Sequence, residues 1–293
     1  MVVRYGLMGM KKRCLQVIAV LGVIVLILPA IASADRNRMM ETALPFLEDG
    51  NPFLQRYNEM EGTDLEPVCP LGCPYFYGGY NIRHLLKPAN PDHESEYYRK
   101  DQKYLYGFDC SGFTKYVVEQ AGYERHPKIS ELLNRTLYTE CEIPRSMTLS
   151  GKALSPVLRR GDLLAIQHMD GGFHIAMFCG TLRDFGYTTE TLPEVLVPYL
   201  FYPLLIHCTA SSDYHERYSA YLEEQGLEDV IPPYGGVIVS ILDVPLSAAT
   251  SETPQIKDLS RPCFELEGYH LQITDLTQEK RYRWIRWRKR EGL

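Results

Sequence analysis

No internal repeat and no long low-complexity tract runs through the 293 residues, which excludes stacked-repeat architectures. An excess of positive charge is also missing, since 31 Lys and Arg stand against 37 Asp and Glu, a formal charge of −6. The first 34 residues carry Arg4, Lys11, Lys12 and Arg13 and no acid, so without them the balance is 27 to 37, or −10. Nucleic acid is therefore not an expected partner. No cysteine closely follows the apolar run from Leu15 to Ile31, so the sequence does not support a lipoprotein signal. Cys69 and Cys73, with three residues between them, have no second pair at metal-ligand spacing. They are read as a disulfide or free thiols, and no metal or cofactor is expected.

What is present starts with that apolar run. Basic residues before it and Ala32-Ser33-Ala34 after it read as a secretory signal peptide cleaved before Asp35. The expected location is then secreted or cell-envelope, with membrane attachment only if the segment stays uncleaved. Cleavage would leave 259 residues, enough for one substantial core. It would also leave seven cysteines, an odd number, so at least one thiol stays unpaired within the monomer. Residues 35–67 read as a helical lead-in, with Met39, Ala43, Leu44 and Leu47 at helical spacing and a break at Gly50-Asn51-Pro52. The remainder, 68–293, is expected as one domain. Within it 81–106 reads as a long loop or lid and 244–262 as a surface loop. Lys280 to Arg290 interleaves basic and aromatic residues like a strand with one wet face.

The chemistry-bearing stretch is Phe108-Asp109-Cys110-Ser111-Gly112-Phe113. Phe113, Tyr116, Val117 and Ala121 share one helical face, and Gly122 is a stop signal, so Cys110 is expected to open a helix capped by Asp109. At that position the helix's N–H groups favour thiolate and could hold an oxyanion. Strands are expected over Leu163–His168, Phe173–Cys179, Pro203–Thr209 and Gly236–Leu242, and a closing hairpin from Tyr269–Leu276 and Arg281–Trp287. If the second and third strands pair with His174 opposite His207, both rings lie on one face and Cys179 and Cys208 on the other. That face is expected to meet the Cys110 helix, giving a nucleophile, base and orienter.

Pro74-Tyr75-Phe76-Tyr77-Gly78-Gly79, Asp109-Cys110-Ser111-Gly112, Gly161-Asp162-Leu163-Leu164, His174-Ile175-Ala176-Met177 and His207, in this order, resemble the NlpC-type cell-wall cysteine peptidases. The resemblance covers about residues 68–210. It implies an α+β, papain-like fold with the nucleophile helix packed on an antiparallel β-sheet. It further implies Cys110 as nucleophile, His174 as base and His207 as its orienter, with Tyr75, Asp109 and Ser111 lining the substrate site. The implied substrates are peptidoglycan stem peptides, often cut between D-glutamate and a diamino acid. An N-terminal barrel found in one branch is absent here, so that branch's strict free-amine preference is not carried over. His174 and His207 are also farther apart than the family's usual spacing, which makes 181–202 an expected insertion and Asp213 or His215 candidates for the third role. A non-catalytic wall-binding module and a thiol acyltransferase or amidase on the same fold are the other functions weighed.

Overall fold

The computed structural model describes residues 36–81, 88–89, 98–134, 152, 155–243, 263–276 and 279–287. The expected signal peptide, the 244–262 loop and Cys141 fall outside the described residues, as do parts of the 81–106 segment and of the basic run.

The lead-in folds as its spacing predicts. Helix α1 (residues 36–43) runs into a 3-10 turn at Leu44–Phe46. Helix α2 (Pro52–Glu61) starts where Asn51 accepts a hydrogen bond from the Phe53 N–H and Pro52 occupies a position that needs no N–H. It stops at Gly62, which is left-handed at φ 66°. Met39, Ala43, Leu44, Leu47, Phe53 and Tyr57 are buried in the same cluster as the main sheet, so the lead-in is part of one core.

Three further helices follow: α3 (Cys110–Gln120), α4 (Ile129–Asn134) and α5 (Ser212–Glu224). The strands are β1 (Pro88–Ala89), β2 (Lys103–Leu105), β3 (Leu163–Gln167), β4 (Phe173–Thr181), β5 (Pro203–Ala210), β6 (Val230–Ile231), β7 (Gly235–Asp243), β8 (Cys263–Leu266), β9 (Tyr269–Asp275) and β10 (Arg281–Ile285). Seven of them form one sheet in the order β10-β3-β4-β5-β7-β9-β8, and β1-β2-β6 form a small second sheet. In the main sheet every neighbouring pair is antiparallel except β7 with β9. The chain is thus α+β, with helices against a mostly antiparallel sheet.

The β3–β4 hairpin forms at Met169-Asp170-Gly171-Gly172, in the register Gln167↔Phe173. The closing hairpin does not form. β9 pairs with β7 and with β8, whereas β10 crosses to the far edge and pairs with β3. The tight turn belongs instead to Glu267-Gly268 between β8 and β9, where both residues have positive φ, 51° and 82°. β3 is a continuous apolar run because both its faces are covered: Leu163 and Ala165 join the cluster on the α3 side, Leu164 and Ile166 the cluster on the other.

Alternation places the histidines on one face as expected, yet helix α3 packs on the opposite one. Its Phe113, Val117 and Val118 bury against Ile175, Met177, Cys179, Ile206 and Cys208. The histidines share parity with Ala176 and Leu205, on the other side of the sheet. His174 and His207 are also not direct partners. The β4–β5 register ends at Met177↔Ile206, and His207 pairs across with Ile238 of β7. The two strands part there, and the first residue of α3 sits at that parting.

Candidate active site

Two glycine contacts join the motif blocks. A Cβ on Gly112 would lie 1.9 Å from the Gly79 carbonyl oxygen, and one on Gly107 would lie 1.7 Å from that of Pro74. Only hydrogen side chains let these backbones cross. Asp109 then ties the crossing together. Its Oδ1 accepts from the Gly112 N–H at 2.5 Å and from Ser111 Oγ at 3.0 Å, while Oδ2 accepts from the Gly78 N–H at 3.1 Å. Asp109 is therefore both the cap of α3 and the anchor of the 76–79 loop. Ser111 spends its hydroxyl hydrogen on that anchor.

Cys110 is the first residue of α3 and is 8% exposed. Its Sγ lies 4.0 Å from the Phe173 carbonyl oxygen, and the Ile175 N–H also acts on it. The thiol thus sits against the β4 backbone on both sides of His174. Burial pushes it up to about 12, with the Asp109 carboxylate adding to the rise. The N–H groups of Ile175, Ser111 and Cys110 itself pull the other way and do not prevail. The thiolate expected from the helix terminus is thus not the resting form: desolvation outweighs the helix donors.

A polar chain runs behind His174 through the sheet. His174 Nε2 is 2.7 Å from His207 Nδ1, His207 Nε2 is 2.9 Å from Ser240 Oγ, and Ser240 Oγ is 2.9 Å from Thr274 Oγ1. His207, Ser240 and Thr274 are buried, the first two almost completely. Protons can point along this chain in either direction. Only when His174 Nε2–H donates to His207, and His207 Nε2–H to Ser240, does His174 Nδ1 remain an acceptor. On the ring's other flank, His168 stacks on His174 at 6.2 Å between centroids and meets Glu279 Oε2 at 2.7 Å through Nδ1.

Tyr75 is positioned by its N–H donating to the Gly235 carbonyl at 2.7 Å, and its ring lies 5.0 Å from that of Tyr234. Burial pushes its phenol up, with Tyr234, Cys110 and Asp109 adding to the rise. Of the two substitutes for the third role, Asp213 pairs with His270 Nδ1 at 2.9 Å, and His215 lines a cavity beyond Tyr75. His207, not either of these, bonds His174. A cavity of about 380 Å³ elsewhere, lined by Glu48, Asp213, Glu216 and Arg217 among others, includes none of Cys110, His174 or His207. Cys69, Cys73, Cys110, Cys179, Cys208 and Cys263 are unpaired thiols. Among the described residues no group of three or more His, Cys, Asp or Glu could hold a metal ion, and no helix is long and apolar enough to cross a membrane.

Residues 72–190 match the model of the NlpC/P60 family. This part of the chain is similar to that family. No curated protein and no solved structure matches the chain. Similarity to the NlpC/P60 family supports a cell-wall peptidase in general, a class that is typically of cysteine type. The NlpC/P60 match contains Tyr75, Asp109, Cys110, Ser111 and His174, and ends before His207. Ser240 and Thr274 were not singled out in the sequence. Ser240 is the lone hydroxyl in Val237-Ile238-Val239-Ser240-Ile241-Leu242, a buried strand, and a polar side chain there demands a buried partner.

Proposed function

We propose that this chain is an exported cysteine peptidase that hydrolyses peptidoglycan stem peptides, at the bond between D-glutamate and the diamino acid. The observation that carries the reading is Cys110, opening a helix inside the family's Asp-Cys-Ser-Gly block and set against the strand backbone on both sides of His174. With His174 Nε2 turned to His207, Nδ1 takes the thiol proton as Cys110 Sγ attacks the scissile carbonyl. The carbonyl electrons move onto oxygen, and N–H groups at the start of α3 are aligned to receive that charge. As the oxyanion collapses, the C–N bond breaks and His174 returns its proton to the leaving amine. A water, deprotonated by His174, then attacks the thioester and restores the thiol. The high thiol pKa supports a neutral Cys–His resting pair, with proton transfer coupled to attack. Tyr75, Asp109 and Ser111 flank the nucleophile on the substrate side, with Asp109 and Ser111 holding the wall rigid rather than offering charges outright.

The test is mass spectrometry of peptidoglycan digested by the protein beside its Cys110→Ala variant. Stem fragments released by the unaltered protein alone, with masses matching the D-glutamyl bond, are the expected result. Identical digests on several wall types would overturn the reading.

A further inference from the structure

Tyr75 also lines a cavity of about 250 Å³, together with Tyr98, Tyr104, His215, Pro233 and Tyr234 among others. Most of these residues lie outside the motif blocks. Tyr98 and Tyr104 come from the 81–106 segment, while Pro233 and Tyr234 follow β6. The wall is held by ring packing: Phe76 stacks on Tyr98 at 4.6 Å and on Tyr106 at 4.4 Å, and Tyr98 meets Tyr104 edge-on at 4.8 Å. Two hydroxyls help fix it, Tyr98 donating to the Tyr77 carbonyl and Tyr104 to Gln102 Oε1. Among the described residues, no Asp, Glu, Lys or Arg lines the cavity. Such a pocket suits an uncharged ring with an apolar face and a polar rim. A carboxylate or an ammonium group would find no Asp, Glu, Lys or Arg partner among the described lining residues to offset its desolvation.

Peptidoglycan stems consist of alanines, a glutamate and a diamino acid, all small or charged and none with a ring. The ring that the polymer offers is the pyranose of its N-acetylhexosamines, with C–H bonds on its faces and hydroxyl and amide groups at its rim. We infer that this cavity is a glycan subsite, which takes an N-acetylhexosamine ring of the strand while the attached stem reaches Cys110. The inference rests on the peptidase reading and sharpens it: the preferred substrate is a stem still joined to its sugar, not a free stem peptide. Tyr75, which lines this cavity and belongs to the Pro74–Gly79 block, is the residue that links the two sites in this reading.

Binding is measured by titration calorimetry on Cys110→Ala protein, with a synthetic tetrapeptide stem and the same stem carried on a disaccharide of N-acetylglucosamine and N-acetylmuramic acid. Ring stacking of this kind makes the glycan-linked ligand bind about tenfold tighter. Adding Tyr104→Ala should bring the two ligands to within about twofold, and Tyr104→Phe should keep the difference. His215→Ala, on the exposed face of α5, gives a second variant outside the packed wall and should lower the advantage in part. Equal affinity for the two ligands, failure of both to bind, or a sugar-dependent difference that survives both Tyr104→Ala and His215→Ala would overturn the subsite. Incubating both ligands with the protein that retains Cys110 separates the two claims. Cleavage of both with equal binding sinks the subsite and leaves the peptidase. Sugar-dependent binding without cleavage sinks the peptidase and leaves the subsite.

Discussion

Cys110 and the polar chain behind His174 set two opposing demands on single residues. Burial and Asp109 hold the thiol at about 12, so at neutral pH it is protonated and only a minute thiolate fraction exists. Alkylation by iodoacetamide should then climb about tenfold per pH unit from 7 to 9 and show no plateau there, since the thiolate is the reacting form. A plateau below pH 8, followed by mass spectrometry of the Cys110 peptide, would show a preformed ion pair instead. Ser240 acts through His207. In the proton arrangement that keeps His174 Nδ1 an acceptor, its oxygen accepts the His207 Nε2–H, and Ser240→Ala removes that acceptor. The imidazole then gains by moving its proton to Nδ1, which reverses the bond to His174 and places a proton on the nitrogen that must accept one. Ser240→Ala should lower kcat on wall stems by on the order of tenfold to hundredfold with KM little changed, and Ser240→Thr should restore it. Nitrogen-15 shifts of the His174 ring would report the tautomer directly; an unchanged tautomer in Ser240→Ala would remove this role.

At the scale of elements, the helix opening and the loop before it form one unit. Gly112 sits in the first turn of α3 beneath the Gly79 carbonyl, and Asp109 bridges the same two segments. Gly112→Ala should force them apart by more than an ångström and misplace Cys110. Soluble, folded protein with activity down about a hundredfold is the expected outcome, and a crystal structure with an unmoved 76–80 loop would contradict it. These local features were legible: the Asp109 cap, the apolar face of α3, the 169–172 turn and the alternation of β4 and β5 are all properties of short windows of sequence. What was not legible depended on pairing across long separations. The β4–β5 register ends at Met177 and Ile206, which sets His207 diagonal to His174, and the helix packs on the face that carries Cys179 and Cys208. Neither follows from period-two alternation, because alternation fixes which residues share a face and not what covers it. The 181–202 insertion likewise lies at the far end of β4, seven residues from His174. At ~3.3 Å per residue that is roughly 23 Å, too far to flank the thiol.

Across the whole molecule, the first and last described segments close on the Gly161-Asp162 turn. Asp162 receives a two-pronged contact from Arg286, with Nε to Oδ1 at 3.0 Å and an NH2 group to Oδ2 at 2.8 Å. Arg36 of α1 reaches Oδ1 at 3.3 Å, and the Arg159 N–H reaches Oδ2 at 2.8 Å. One carboxylate therefore holds the lead-in, the start of β3 and the segment after β10, elements drawn from both ends of the sequence. The expected hairpin of the last two strands missed this, because the residue that draws the last segment to the β3 edge sits more than a hundred positions upstream. Asp162 is 1% exposed and Arg286 is 7% exposed. Pairing roughly offsets the lost solvation for the intact pair, but removing the acid leaves the buried Arg286 guanidinium without its carboxylate. Asp162→Ala should thus cost about 3–5 kcal/mol in urea unfolding, a large share of a typical domain's stability. Asp162→Ala combined with Arg286→Leu should recover much of that loss by removing the orphaned charge. A loss under about 1 kcal/mol for Asp162→Ala would mean that the two ends are held by apolar packing alone, through Met39 and Trp287 in the shared core.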